Sequence, residues 1–231
     1  YNSYQFHQIY QKLHHYCVVT LGGFYLDIIK DRMYTCQANS LARRSAQTTM
    51  YHLAEAFTRW LSPILSFTAE EIWQNMPGQR GDSVFFEDWY SQLPPAADND
   101  EKWHRIILIR EEVSKELEKL RVTGAIGSSL DAEVEIYASA ELEQTLASLA
   151  DELRFVFITS YASVSKESDR PDDAIKTELD GLFLKVIPCV HEKCTRCWHH
   201  REDVGSHSPH PELCARCVDN IDGDGEPRDF C

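Results

Sequence analysis

The sequence predicts a mixed fold: an α-helical bundle, then a small α/β subdomain, then a four-cysteine tail. Apolar residues recur every three or four positions through much of the first half, which is typical of helices. After residue 130 the period changes to two, which is typical of strands. Six of the eight cysteines lie in the last 43 residues. We therefore predict domains at 1–97, 98–187 and 188–231.

The first region has the pattern of helices with one buried face. Phe6, Ile9 and Leu13 mark a helix over about residues 3–21, which Gly22–Gly23 should weaken. A second helical stretch follows through Ile28. These residues predict a helix bundle and no sheet.

Two capping signals continue the helical pattern. Ser40 is predicted to cap a long helix that ends or kinks at Pro63. Thr68–Glu71 has the form of a capping box, in which the Thr and Glu side chains satisfy free N–H groups reciprocally. A short helix should follow and stop before Pro77–Gly78.

The middle region combines both periods. A Pro-rich connector at 94–100 precedes a helix predicted over about Asp100–Arg121, with Glu112 and Glu116 on its polar side. Alternation around Val134 predicts a strand, and the charged stretch 166–176 predicts a loop. Further elements are predicted as a helix at 141–149 and buried strands at 155–158 and 182–186.

The charge of the chain is unevenly distributed. The net charge of -14 and the pI near 5.1 argue against a general nucleic-acid binder. However, residues 98–190 carry 11 Lys and Arg against 20 Asp and Glu, whereas residues 1–97 carry 7 against 8. The acidity therefore belongs mainly to the middle region and leaves the other two free to bind an anion.

The tail contains a C-x2-C-x16-C-x2-C pattern formed by Cys194, Cys197, Cys214 and Cys217. Two such knuckles supply the four sulfur ligands of a closed, tetrahedral zinc site. Disulfides or free thiols are the alternative, but clustering without a secretory signal favours metal and a reducing, cytoplasmic compartment. Nearby histidines are weaker candidates because four cysteines complete the set.

One structural Zn²⁺ is thus predicted, with no open position for chemistry. About 40 residues with little apolar content cannot fold on a core of their own, so metal binding should supply the folding free energy. Cys189 and Cys231 lie outside the pattern and are interpreted as spare thiols.

Basic and aromatic residues surround the knuckles. Arg196 and Arg216 occupy the third position of each knuckle, and Lys193 and Arg201 flank the first. Because Arg binds phosphate oxygens in bidentate pairs, this cluster is a candidate phosphate contact; the alternative is a solvated surface. Trp198 is a candidate for stacking on an unpaired base, or else it covers the metal site.

A set of short segments runs in order over essentially the whole chain: 25–32 with Tyr34, 43–48, 63–73, 117–121 with 126–127, 192–198, 213–217 and 223–226. Together these segments resemble the carboxy-terminal part of bacterial-type isoleucyl-tRNA synthetases. The tail is similar to the terminal zinc finger of that family, and the upstream segments are similar to its anticodon-binding domain.

The resemblance implies binding of the anticodon stem-loop of tRNA(Ile), with Zn²⁺ as cofactor and the rest of a synthetase chain as partner. The full enzyme of the family attaches isoleucine to tRNA with ATP. This chain contains neither the His-Ile-Gly-His nor the Lys-Met-Ser-Lys-Ser type motif of the catalytic domain. We therefore expect a cytoplasmic, monomeric piece of a longer product, starting at Tyr1, without catalytic or editing sites.

In the first region the basic residues Lys30, Arg32, Arg43 and Arg44 are the candidates for tRNA contacts. For Arg43–Arg44 the alternative is a solvated helix face. For Lys30–Arg32 it is an internal ion-pair run.

Two other functions are alternatives to tRNA binding. A related finger ends the formamidopyrimidine-type DNA glycosylases, but that family would require a catalytic amino-terminal proline, and Tyr1 stands at the start of this chain. The third hypothesis is a zinc-stapled module that binds a basic protein through the acidic middle region. No stretch approaches the ~18–20 apolar residues of a membrane span, so no membrane partner is expected.

Overall fold

The computed structural model describes residues 1–95 and 99–228. Its contacts divide the chain into two compact units. The first comprises Tyr1–Asp27 and Arg43–Ala97, and the second comprises Ile28–Ala42 and Asp98–Cys231. The short segment 28–42 thus belongs with the cysteine-rich end of the chain, and the three-domain division at 97 and 187 stays a prediction.

The helices agree in type with most of the predicted ones. In chain order they are α1 (Phe6–His15), continuing as a π-helix (Tyr16–Tyr25), α2 (Leu26–Ile28), α3 (Lys30–Thr35), α4 (Leu41–Leu61), α5 (Ser66–Asn75), α6 (Asp100–Val122), α7 (Ala140–Ala147), α8 (Leu153–Phe157) and α9 (Ala215–Asp222). Single 3-10 turns occur at Val84–Phe86, Ser129–Asp131, Ala150–Glu152 and Glu167–Asp169. None of the helices within the described ranges is long and apolar enough to cross a bilayer.

The first helix differs from expectation in its surroundings. It forms at α1, but none of its residues is buried, so the predicted buried face is wrong for this segment. Beyond it the chain does not break at Gly22–Gly23 but widens into the π-helix. A Cβ at Gly22 would lie 3.1 Å from the carbonyl oxygen of Cys17, so the absent side chain lets the backbone pass closely there.

The core of the first unit forms around Trp73 of α5. Its indole N–H donates to the Gly81 carbonyl (2.9 Å), and the guanidinium groups of Arg59 and Arg80 lie 4.7 and 4.6 Å from the ring centroid. Both arginines also bind the buried carboxylate of Glu55. A buried charge is thus satisfied from two sides, as burial requires.

The predicted capping box is wrong. α4 begins one residue after Ser40, as expected, and ends at Leu61, before Pro63. α5 begins at Ser66, so Thr68 lies inside the helix and does not cap it. The reason is local, since the Ile64 and Leu65 N–H groups both bond to the Leu61 carbonyl and turn the chain early.

The second unit contains a four-stranded sheet with the order β2-β1-β4-β3. β1 is central and pairs in parallel with β2 and antiparallel with β4. Buried and partly buried residues alternate from Ala132 to Ile136, as the sequence predicts, although Tyr137 is buried as well. Helix α6 turns a face of four buried apolar residues inward, although Glu116, expected on its polar side, is also buried. The strands are β1 (Ala132–Ala138), β2 (Tyr161–Lys166), β3 (Ile175–Lys176) and β4 (Leu182–Pro188).

One predicted strand is a helix. Phe155, Val156 and Phe157 are buried as expected, but they belong to α8, and the partly buried Ile158 ends that helix in the left-handed conformation with φ 58°. The strand comes later, as β2, in a segment for which no strand is predicted. Two parallel neighbours need a long crossover, and here α7 and α8 provide it.

Candidate metal centre and nucleic-acid interface

The two cysteine knuckles have different backbones. In the first, the Trp198 N–H donates to the Cys194 carbonyl and the Cys194 N–H donates to the His199 carbonyl, both at 2.9 Å. The turn closes because Trp198 adopts a positive φ of 66°, which is rare for a bulky residue. In the second, Cys214 precedes α9, and Cys217 lies in the first turn of that helix.

The knuckles bring all four predicted sulfur ligands together. The Sγ atoms lie within 4.8 Å of one another and are buried, and those of Cys197 and Cys214 are 3.7 Å apart. Tetrahedral zinc with Zn–S bonds of about 2.3 Å requires sulfurs about 3.8 Å apart. The site therefore fits a single zinc ion, which Cys194, Cys197, Cys214 and Cys217 would hold.

The surroundings also suit a metal thiolate. The Cys214 N–H points at the Cys194 sulfur (3.4 Å), and Leu213 and Val218 pack against the cluster. Zinc binds cysteine as the thiolate, so the four thiols would lose their protons when the metal binds. Because four protein ligands close the site, its role is structural.

The other described cysteines are separate from this cluster. Cys17 is exposed, Cys36 is buried and Cys189 is partly buried, while Cys231 lies outside the described residues. Burial, followed by the neighbouring Glu226 carboxylate, raises the pKa of Cys36 to about 12 and keeps it a neutral thiol.

Arg216, a predicted phosphate contact, is engaged inside the protein. Its Nη1 and Nη2 donate to the two carboxylate oxygens of Asp31 at 2.7 and 2.8 Å, and Nη1 also reaches Glu226 at 3.0 Å. Burial would raise the pKa of Asp31, but the charge and hydrogen bonds of Arg216 outweigh it and lower that pKa. The guanidinium of Arg216 is thus engaged by carboxylates within the chain.

Two more predicted RNA contacts also point inward. Arg196 donates from Nη1 to the Thr35 carbonyl at 2.8 Å, at the C-terminal end of α3. Arg32 lies 3.8 Å from Glu152, whose carboxylate also accepts two hydrogen bonds from Arg228. Within the run Lys30–Arg32, Asp31 and Arg32 thus form internal ion pairs, as the alternative to tRNA contacts predicts.

The other predicted contacts of the second unit lie at its surface. Trp198 is 62% exposed and Lys30 is exposed on α3. The guanidinium of Arg201 stacks 4.4 Å from the Tyr161 ring centroid. Lys193 is exposed and lies 3.1 Å from Asp131. Arg43 and Arg44 belong to α4 in the first unit, where Arg44 is exposed and Arg43 partly buried, so they are not grouped with the others.

Sequence reasoning missed the acidic residues that hold this region together. Asp31 binds Arg216, 185 positions away in sequence, and Glu152 binds Arg228, 76 positions away. Glu226 binds Arg216, 10 positions before it. The only available signal was the alternating charge of Lys30–Arg32, which does not identify a distant partner.

Comparisons with known proteins agree with this architecture. The family described as "Anticodon-binding domain of tRNA ligase" matches residues 1–136, and "Zinc finger found in FPG and IleRS" matches residues 192–220. The finger family occurs both in formamidopyrimidine-type DNA glycosylases and in isoleucyl-tRNA synthetases, so its match alone does not separate them. The match of the anticodon-binding family to residues 1–136 favours a tRNA ligase and disfavours the glycosylase hypothesis.

Individual relatives are similar over the whole chain. It is 57% identical over 235 residues to an isoleucine–tRNA ligase of Nitrosococcus oceani. The identity is 56% over 234 residues for Methylococcus capsulatus and 52% over 234 residues for Pseudomonas aeruginosa, to proteins of the same name. Each match covers 100% of this chain and 25% of the relative, so the chain spans about a quarter of their length.

Zinc content tests the ligand set. The purified chain should hold one zinc, and Cys197→Ser should reduce it to well under half, because three thiolates and a weakly binding hydroxyl do not complete the tetrahedron. Mass-spectrometric metal analysis measures this, with Cys189→Ser as the control that keeps one zinc. Full zinc in Cys197→Ser would contradict the assignment.

Acid should weaken the contact of Asp131 with Lys193. Burial opposes the ionised form of Asp131, but the Ser128 N–H and the Lys193 ammonium outweigh it and lower its pKa to about 2, against an ordinary 3.8. Its stabilising contribution is therefore full above about pH 4 and is lost as the pH falls towards 2.

We expect Asp131→Asn to lower the free energy of unfolding at pH 7, and the gap from the wild type to shrink below pH 4. Urea denaturation at several pH values measures both quantities. The control is Asp173→Asn, whose carboxylate is exposed beside Lys185 and should matter little. A gap that does not change with pH would refute the mechanism.

Proposed function

The chain belongs to the family of anticodon-binding domains of tRNA ligases, and from this premise we propose that it binds the anticodon stem-loop of tRNA(Ile). In this proposal it acts as part of an isoleucine–tRNA ligase, whose remaining chain activates isoleucine with ATP and transfers it to the tRNA. The relatives of that name cover the whole chain and are about four times as long.

The observation that carries the proposal is the arrangement of side chains on the metal-binding segment. Trp198 is exposed at a turn that the two knuckle cysteines hold, and Lys193 and Arg201 flank the same turn. RNA bases that are splayed out of a loop stack on aromatic rings, and their phosphates bind cations. A rigid turn keeps the entropic cost of ordering the indole on binding small.

The unusual backbone of Trp198 supports the same role. A bulky residue at positive φ is strained, and such strain persists where the surrounding structure enforces it. Here the metal ligands on one side and the His199 carbonyl bond on the other would enforce it. The strained backbone holds the ring of Trp198 at the surface, in a position where an unpaired base would stack on it.

The proposed contacts are narrower than the set predicted from sequence. Lys30, Lys193, Trp198 and Arg201 are proposed contacts in the second unit, and Arg43 and Arg44 in the first. Arg32, Arg196 and Arg216 are proposed to support the fold. A monomeric state, a cytoplasmic location and attachment to catalytic and editing domains belong to the same proposal.

Salt titration of tRNA binding tests it. In a fluorescence anisotropy assay, the zinc-loaded chain should bind tRNA(Ile) more tightly than duplex DNA. Lys193→Gln and Arg201→Gln should each reduce the slope of log K against log salt by about 0.7, the value for one phosphate contact on a single strand. Trp198→Ala should cost about 1–3 kcal/mol without changing the slope, because stacking releases no counterions.

The matched control is Lys176→Gln, which removes another exposed lysine of the second unit and should leave affinity and slope unchanged. Equal binding of tRNA and duplex DNA, or no binding, would refute the proposed function.

A further inference from the structure

Helix α3 has two faces with different surroundings. Asp31 and Thr35, one turn apart, contact the cysteine-bearing segment, and their side chains are largely buried. Lys30 and Tyr34, also one turn apart, lie on the exposed surface, where Tyr34 is 78% accessible. The helix therefore joins the metal-binding segment on one side and offers a cation and an aromatic ring on the other.

The Asp31 carboxylate is the centre of that attachment. Both oxygens accept from Arg216, and Oδ1 also accepts from Arg228 Nη1 at 3.3 Å. His199, two residues after Cys197, places Nδ1 3.9 Å from Oδ2. One side chain with 12% exposure thus connects α3 with the first knuckle, α9 and the C-terminal tail.

A second set of bonds attaches the same segment. Arg196 donates to the Thr35 carbonyl, and the Gln37 amide donates to the Gly223 carbonyl at 2.9 Å. The third position of each knuckle therefore holds an arginine that reaches α3, Arg216 near its beginning and Arg196 at its end. The arginine that the two knuckles share at their third position thus bonds to the same helix from both knuckles.

This arrangement fixes orientation more than it adds stability. A buried ion pair loses much of its Coulombic gain to desolvation, but removal of one partner leaves the other charges uncompensated. Asp31 faces two arginines and one histidine. The charges of the two arginines are compensated best when the Asp31 carboxylate lies between these side chains. The metal ligands on both sides of Arg216 hold that guanidinium in place.

We propose that Asp31 is a positioning residue for RNA binding, which holds α3 and the metal-binding segment in one orientation so that Lys30, Lys193 and Trp198 meet the same tRNA. This inference rests on the proposed function. Asp31 itself touches no RNA in this account. Its replacement should therefore weaken binding indirectly, because Lys30 and Lys193 would no longer be held against the same tRNA backbone.

The test is Asp31→Asn in the zinc-loaded 231-residue chain. We expect one zinc per chain and a Kd for tRNA(Ile) raised about 10–100-fold, the size of the effect when groups that orient metal ligands are removed. The salt slope should become shallower by about 0.7 for each lysine whose phosphate contact is lost. The substitution makes the acidic chain less negative, so long-range electrostatics alone would strengthen binding. The same change at an exposed ion pair, Asp173→Asn, is the control and should leave Kd unchanged.

Coupling to Arg216 gives an independent readout. Adding Arg216→Gln to Asp31→Asn should raise Kd far less than the product of the two single effects, because both remove one interaction. Multiplicative effects would show that the two residues act separately and would overturn the proposal.

Three further outcomes separate failure of the positioning role from failure of the proposed function. A wild-type Kd in Asp31→Asn at full zinc overturns the positioning role but leaves the proposed function intact. If the wild-type chain binds no tRNA, the proposed function fails and the inference fails with it. If Asp31→Asn loses zinc, Asp31→Glu tests the positioning role instead, because it keeps the charge and displaces the carboxylate. A raised Kd of Asp31→Glu for tRNA(Ile) at full zinc supports the role, and a wild-type Kd overturns it.

Discussion

The bidentate ion pair between Asp31 and Arg216 joins residues 185 positions apart, and the functional surface of the second unit depends on it. Arg216 lies between two sulfur ligands, so the metal centre fixes its backbone. Asp31 lies in the first turn of α3, so the same bond fixes that helix. A buried pair of this kind persists only when both partners are held in register, because each charge is costly alone. The metal site and the helix thus constrain each other through one contact.

Elements with short-range signals could be predicted from the sequence. The four sulfur ligands follow from two-residue gaps, which place both thiols of a pair on one ion, and the structure brings all four together. The central strand follows from the alternation around Val134, and α6 from apolar steps of three and four. The run 155–158 could not be assigned in this way. Four consecutive apolar residues fit a buried strand or a buried helix equally. In the structure, residues 155–157 are helical and form part of the crossover that the parallel pair β1 and β2 requires.

The candidate site was only partly predictable, because exposure and pairing are tertiary properties. Arg196 and Arg201 are similar in sequence context, yet one bonds to the end of α3 and the other stacks on Tyr161. Nothing near Arg216 in the sequence identifies Asp31 as its partner. The acidic composition of the chain was misleading for a related reason. Several carboxylates neutralise internal arginines, while the exposed surface beside the metal retains Lys193 and the Trp198 ring.

Hydrogen exchange with and without zinc tests the mutual dependence most directly. We predict that chelation of zinc from the full chain speeds amide exchange in residues 30–35 as well as in 194–217, because α3 loses its contacts with Arg196 and Arg216. Exchange in α5, which packs through Trp73 in the other unit, should stay the same. Faster exchange in 194–217 with no change in α3 would refute the mutual dependence, since the metal centre would then fold without positioning the helix.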